Sequence, residues 1–127
     1  TIVMYSGSND IAAGKSPEQV FADFVAFVDA VHAAFPETRI LYISIAPSPA
    51  RWAHRLNVQR ANRLIELYTQ TDERLAFIDV YTHMLGEDGL PRPELYISDQ
   101  LHMTPAGYAL WTEIVRTYLY EEPSAVR

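Results

Sequence analysis

Arg39-Ile40-Leu41-Tyr42-Ile43-Ser44-Ile45 reads as a strand, and Ala46-Pro47-Ser48-Pro49 closes it with a rigid stop. On its N-terminal side lies a helix. Ser16-Pro17-Glu18-Gln19 supplies an N-cap, a proline at the first helical position and a glutamine placed for a capping box. Val20, Phe24, Val28, Val31 and Phe35 follow at helical spacing, and Pro36 ends the run. Further out, Ile2-Val3-Met4-Tyr5 is a short β-branched and aromatic strand that feeds a polar loop, Ser6-Gly7-Ser8-Asn9-Asp10. On the C-terminal side, Arg55 to Tyr68 forms a second helix with Leu56, Leu64, Ile65 and Leu67 among its apolar positions. Leu75 to Val80 is a third strand, followed by the turn signal Glu87-Asp88-Gly89 and by Pro91 and Pro93. Thr104-Pro105 caps a last helix that extends to about Glu121, with Tyr108, Trp111, Ile114, Val115 and Leu119 as its inner face.

Strands that alternate with helices in this way imply an α/β chain with a parallel sheet covered on both faces. The 127 residues suffice for one domain, 1–127. Hydrophobic residues make up 49% and charged residues 20%, which supports a packed core and argues against disorder. No apolar run approaches the roughly 18 residues of a transmembrane helix. A formal charge of -6 argues against a nucleic-acid or anionic-membrane surface. With no cysteine, disulfides, thiol catalysis and cysteine-bound metals are excluded, whereas the compartment stays open. No cofactor is implied.

Three strands are few for an open parallel sheet, which usually carries about five. The opening strand would present an apolar edge able to pair with another chain. Two expectations follow: the chain associates with a second copy as a homodimer, or it pairs with a preceding segment as part of a larger domain.

Ligands of open α/β sheets bind beyond the carboxyl ends of the strands. Gly7-Ser8-Asn9-Asp10, Ala46-Pro47-Ser48-Pro49 and Asp99-Gln100-Leu101-His102 all qualify. At three-residue spacing before a helix, Asp99 can reach Nδ1 of His102, fix its tautomer and stabilise the imidazolium. The same pair could instead simply organise a helix start. Asn9 can donate its amide to a developing oxyanion, yet Gly, Ser, Asn and Asp are also plain turn formers.

Together the two motifs resemble blocks of the SGNH hydrolases, the GDSL-like esterase and lipase superfamily. Gly7-Ser8-Asn9-Asp10 is similar to the family's Gly-x-Asn-Asp block, and Asp99-Gln100-Leu101-His102 to its Asp-x-x-His block. Met103-Thr104-Pro105-Ala106-Gly107-Tyr108 continues the latter as family members do. The resemblance spans essentially the whole chain. It implies a three-layer α/β/α flavodoxin-like fold and hydrolysis of a small acyl ester by a Ser–His–Asp mechanism. It further implies that His102 is the general base, Asp99 its orienter and Asn9 an oxyanion-hole donor. Gly7 would supply the backbone turn, and Asp10 would brace the Asn9 loop.

The family's Gly-Asp-Ser nucleophile block and the Gly of its second block do not occur in these residues. The expectation is therefore a C-terminal portion of such a hydrolase, from its third strand onward. Ser8 occupies the variable position of its block, Ser44 lies in a strand, Ser16 caps a helix, and Ser48 sits between two prolines. None has the elbow that exposes a nucleophilic hydroxyl. His32, His54 and His83 read as structural or solvated. Asp10, Asp99 and His102 offer metal-binding atom types, but no spacing supports a metal site. Trp52 reads either as the wall of an acyl or alcohol pocket or as a packing aromatic. Arg51, Arg55, Arg60 and Arg63 read as a solvated helix face.

Overall fold

The computed structural model describes residues 1–120. Its sheet has strands β1 (Ile2–Met4), β2 (Ile40–Ile43) and β3 (Leu75–Ile78), all parallel and in the order β1-β2-β3. Ile2 lies opposite Ile40, and Ile40 opposite Leu75, so one register runs across the sheet. Four helices accompany it: α1 (Ser8–Ala12), α2 (Pro17–Ala34), α3 (Arg55–Thr69) and α4 (Pro105–Leu119).

Local chemistry explains where the helices start. Ser16 Oγ accepts from the Gln19 amide at 3.1 Å, and Gln19 Oε1 accepts from the Ser16 amide at 2.9 Å. That reciprocal cap satisfies donors which α2 would otherwise leave orphaned. At α4, Thr104 Oγ1 accepts from the Gly107 amide at 3.3 Å and donates to the Glu94 carbonyl at 2.8 Å.

Alternation along the strands sends side chains to two cores. Ile40, Tyr42 and Leu75 pack under Val20, Phe24 and Val28 of α2 and Val58, Ala61 and Ile65 of α3. Leu41, Ile43 and Ile78 pack on the opposite face with Trp111, Ile114 and Val115 of α4. The result is three layers, helices on both sides of a parallel sheet, as the alternation of elements predicts. Each fully buried aliphatic side chain contributes on the order of 2 kcal/mol. Tyr42 also donates its hydroxyl to the Ser6 carbonyl at 2.5 Å, which fastens the end of β1 to the central strand.

Several expectations need correction. Gly7-Ser8-Asn9-Asp10 is not all loop: α1 begins at Ser8, with Gly7 at its N-cap. The ladders are shorter than the apolar runs, so Tyr5, Ser44, Ile45 and Val80 lie beyond the strands, although Ile45 and Val80 stay buried. Phe35 is 67% exposed because α2 ends at Ala34 and the backbone turns away there. Leu56 and Leu67 face outward, and α3 instead buries Val58, Ala61, Asn62, Ile65 and Thr69. On α4, Tyr108 and Leu119 are exposed, while Leu110, Trp111, Ile114, Val115 and Tyr118 face the sheet. The helix runs to Leu119, and Glu121 lies outside the described residues.

Among the described residues β1 has a strand on one side only. Val3 and Tyr5 remain 38% and 40% exposed beside that open edge. No helix of the described chain is long and apolar enough to cross a membrane.

Candidate active site

A cleft of about 530 Å³ opens beyond the carboxyl ends of the strands, where a parallel sheet presents its loops. It is lined from three directions. The β1–α1 connection contributes Gly7, Ser8, Asn9 and Asp10, the segment after β2 contributes Pro47, Ser48 and Arg51, and the turn before α4 contributes His102. The three segments that position alone singles out thus meet around one space.

Gly7 makes the first of these loops possible. Its φ of +117° lies where side chains are disfavoured, and a Cβ there would stand 2.8 Å from Ile45 Cδ1 and 3.1 Å from Val20 Cγ1. Its carbonyl accepts from the Ile11 amide at 2.9 Å, so the chain enters α1 directly from the strand end. This carries Asn9 to the cleft, exposed, with no hydrogen bond to its side-chain amide among the described residues. Asp10 is half-buried on the same wall, and its carbonyl accepts from the Lys15 amide at 2.9 Å.

Asp99 and His102 sit in a turn closed on itself. Ile97 donates its amide to the His102 carbonyl at 2.8 Å, and Gln100 donates to the Ile97 carbonyl at 2.8 Å. Gln100 takes a φ of +58°, which a non-glycine residue adopts only when its surroundings require it. Its carbonyl accepts from the Ala50 amide at 3.1 Å, joining this turn to the segment after β2. Within the turn, Asp99 Oδ1 accepts from the amides of Leu101 and His102, both at 2.9 Å. Asp99 Oδ2 lies 2.5 Å from His102 Nδ1. The imidazole contact and the two amides hold the Asp99 carboxyl well below the usual range, at about 2. The carboxylate is therefore ionised at neutral pH and directs the ring, and Nε2 of His102 has no hydrogen bond among the described residues.

Three of the serines are engaged in structure. Ser44 Oγ, buried, accepts from the amides of Val80 and Tyr81 at 3.0 and 3.1 Å. Ser48 Oγ accepts from the Arg51 amide at 3.2 Å, and Ser8 Oγ accepts from Arg51 Nη1 at 2.7 Å. His32 Nε2 lies 2.8 Å from the Thr38 carbonyl, and His54 and His83 lie outside this cleft. Among the described residues, no three His, Asp or Glu side chains gather closely enough to hold a metal ion.

Two corrections concern binding. Trp52 walls a separate cleft of about 520 Å³ with Pro49, Tyr96 and Ile97 rather than the one at His102. Arg51 precedes α3 instead of lying on it, and its side chain turns into the His102 cleft. Counting basic residues along a presumed helix hid it; its place just after a strand end was the signal that could have revealed it. Tyr5 and Tyr96 also line the cleft, and nothing in their local sequence marks them. The Tyr5 hydroxyl accepts from the Ala46 amide at 3.3 Å, and burial raises its pKa. Tyr96 donates to the Pro47 carbonyl at 2.6 Å.

Comparison with known proteins bears on the fold. Three similar structures share the fold. A Streptococcus pneumonia protein provisionally described as a platelet activating factor superposes with a TM-score of 0.83 at 22% identity, over 94% of this chain and 60% of that one. A GDSL-like lipase from Bacteroides thetaiotaomicron gives 0.73 at 20% identity, over 91% and 60% of the two chains. The OSK domain of Drosophila Oskar gives 0.74 at 18% identity, over 94% and 62%. The chain thus spans about 60% of the length of these three structures. No curated protein matches it. The model of the GDSL-like lipase/acylhydrolase family matches residues 1–110, a span that includes Asn9, Asp99 and His102, and the chain belongs to that family.

Proposed function

We propose that residues 1–127 form part of an SGNH-type ester hydrolase domain, contributing the base, its orienter and one oxyanion donor. The observation that carries this reading is the 2.5 Å approach of Asp99 to His102 Nδ1 on the rim of the cleft that Asn9 also lines. A serine hydroxyl, supplied by a Gly-Asp-Ser segment, adds to the ester carbonyl carbon while His102 Nε2 takes its proton. The Asn9 amide donates to the resulting oxyanion, where one such donor is worth about 3–4 kcal/mol. Collapse breaks the bond to the alkoxide, which recovers the proton from His102. Water then repeats the sequence on the acyl-serine and releases the acid. Gly7 sets the turn that presents Asn9, and Asp10 braces that turn.

His102→Ala tests the assignment in the protein joined to a Gly-Asp-Ser segment. The expected loss in kcat is about 10⁴-fold or more; near-full activity would overturn it. Treating the 127-residue chain alone with a fluorophosphonate should give no adduct, and an adduct would move the nucleophile to one of its own serines.

The open edge of β1 and the exposed Val3 favour a second reading, in which this chain is non-catalytic and covers that edge by pairing with its copy. Light scattering at micromolar concentration decides it, because an intact monomer excludes the pairing.

A further inference from the structure

The cleft holds a cation that the proposed acyl transfer does not use. Among the described residues, Arg60, Arg63, Arg74 and Arg92 each meet a carboxylate, at Glu18, Glu66, Asp72 and Glu94. Arg51 does not. It is half-buried, lines the same cleft as Asn9 and His102, and makes its one recorded side-chain hydrogen bond to a neutral group, the Ser8 hydroxyl oxygen at 2.7 Å. Its own amide is fixed by Ser48 Oγ, and the preceding residue, Ala50, by the Gln100 carbonyl, so the guanidinium leaves a rigid stem. A guanidinium carries five N–H donors in a planar fork that suits the paired oxygens of a carboxylate or phosphate. The contact to Ser8 uses one of them, and among the described residues no carboxylate is ion-paired with the guanidinium.

We infer that Arg51 is the specificity-determining residue of this cleft and selects esters that carry an anionic carboxylate or phosphate group beside the acyl carbonyl. The inference rests on the ester-hydrolase reading and narrows its substrate class. Asp10 is the one acidic residue among those lining the cleft. Asp99, outside that lining, is paired with His102 and the backbone, whereas Asp10, which feels the Lys15 charge but makes no ion pair among the described residues, opposes an anion. Arg51 therefore sets the preference and Asp10 limits it.

Binding, read without turnover, tests this. Monomethyl glutarate, methyl 4-phosphonobutyrate and neutral dimethyl glutarate are titrated into the isotopically labelled 127-residue chain, following the His102 ring and the Arg51 guanidinium by NMR. At low salt one or both anionic esters should bind about tenfold more tightly than the diester, and the tighter of the two identifies the anion. Raising the salt to about 0.5 M should erase most of that advantage. Arg51→Met should reduce the ratio of anionic to neutral affinity to about one, Arg51→Lys should retain part of it, and Asp10→Asn should increase it. Equal affinity for charged and neutral esters overturns the proposal, as does a preference that survives in Arg51→Met. If Arg51→Met unfolds, as read by circular dichroism, the Arg51→Lys and Asp10→Asn ratios decide instead. Because no bond is broken in this assay, its failure is distinct from failure of the hydrolase reading, which the His102→Ala turnover measurement alone decides.

Discussion

Gly7 carries more constraint than any other single residue of the cleft. Its backbone sits on the left-handed side of conformational space, and the room for a Cβ is taken by Ile45 and Val20, both buried. Gly7→Ala would add a backbone cost of about 1–2 kcal/mol to an overlap cost of similar size, for a loss of roughly 2–4 kcal/mol in urea unfolding. A loss below about 1 kcal/mol would show that the turn relaxes freely. Asn62 shows what residue-level reading misses. Its side chain is buried, accepts from the Ile45 amide at 2.8 Å and donates to the Ile45 carbonyl at 3.0 Å. An asparagine in a helix gives no sign of this, because the need for it arises where β2 ends and leaves both polar groups of Ile45 without a ladder partner. Asp99 and His102 were readable for the opposite reason: their partnership is local, three residues apart in one turn.

At the scale of elements, α4 decides how closely the His102 turn approaches the sheet. Gly107 lies in its first turns, where a Cβ would stand 2.7 Å from the Leu95 carbonyl oxygen and 2.9 Å from Met103 Cβ. Two effects compete in Gly107→Ala. Helix propensity favours alanine by about 1 kcal/mol, while the clash with a backbone oxygen costs about 1–3 kcal/mol. The clash should win, so the midpoint of thermal unfolding falls; a rise would mean that α4 moves outward at little cost. The existence of the three strands and of the long helices α2, α3 and α4 was legible from apolar runs, caps and periodicity. The middle of the inward stripe of α4, Trp111, Ile114 and Val115, was legible too, but its ends and the stripe of α3 were not. Both helices carry more apolar positions than one face can bury, and the sheet's Leu41, Ile43 and Ile78 select Leu110 and Trp111 over Tyr108. The five-residue α1 escaped notice because its sequence is written in turn formers.

For the molecule as a whole, stability should depend on acid. Asp72, held by Arg74 through its side chain and backbone, and Asp99, held by His102 and two amides, both titrate at about 2. Both values lie below the roughly 3.9 of an unfolded aspartate, so the folded state releases these protons more readily than the unfolded state. Their contribution is present above about pH 4 and is lost as pH falls toward 2. Urea midpoints should therefore be flat near neutrality and drop between pH 4 and 2, and Asp72→Asn should shallow the drop. An unchanged slope in that variant would remove Asp72 from the account. The sequence also indicated a sheet with an uncovered margin, since three strands leave β1 open, and Val3 and Tyr5 are exposed there.

The two tryptophans line different clefts. Trp111 lies on the His102 cleft, edge-on to Tyr5 with ring centroids 4.9 Å apart, and donates to the Met84 sulfur at 3.2 Å. Trp52 lies on the other, with the Arg55 guanidinium 5.3 Å from its ring centroid. One indole thus emits beside a thioether and a phenol, the other beside a cation. The chain carries a separate optical probe for each cleft, and replacing either tryptophan with phenylalanine leaves the emission of the other to report which cleft a ligand has entered.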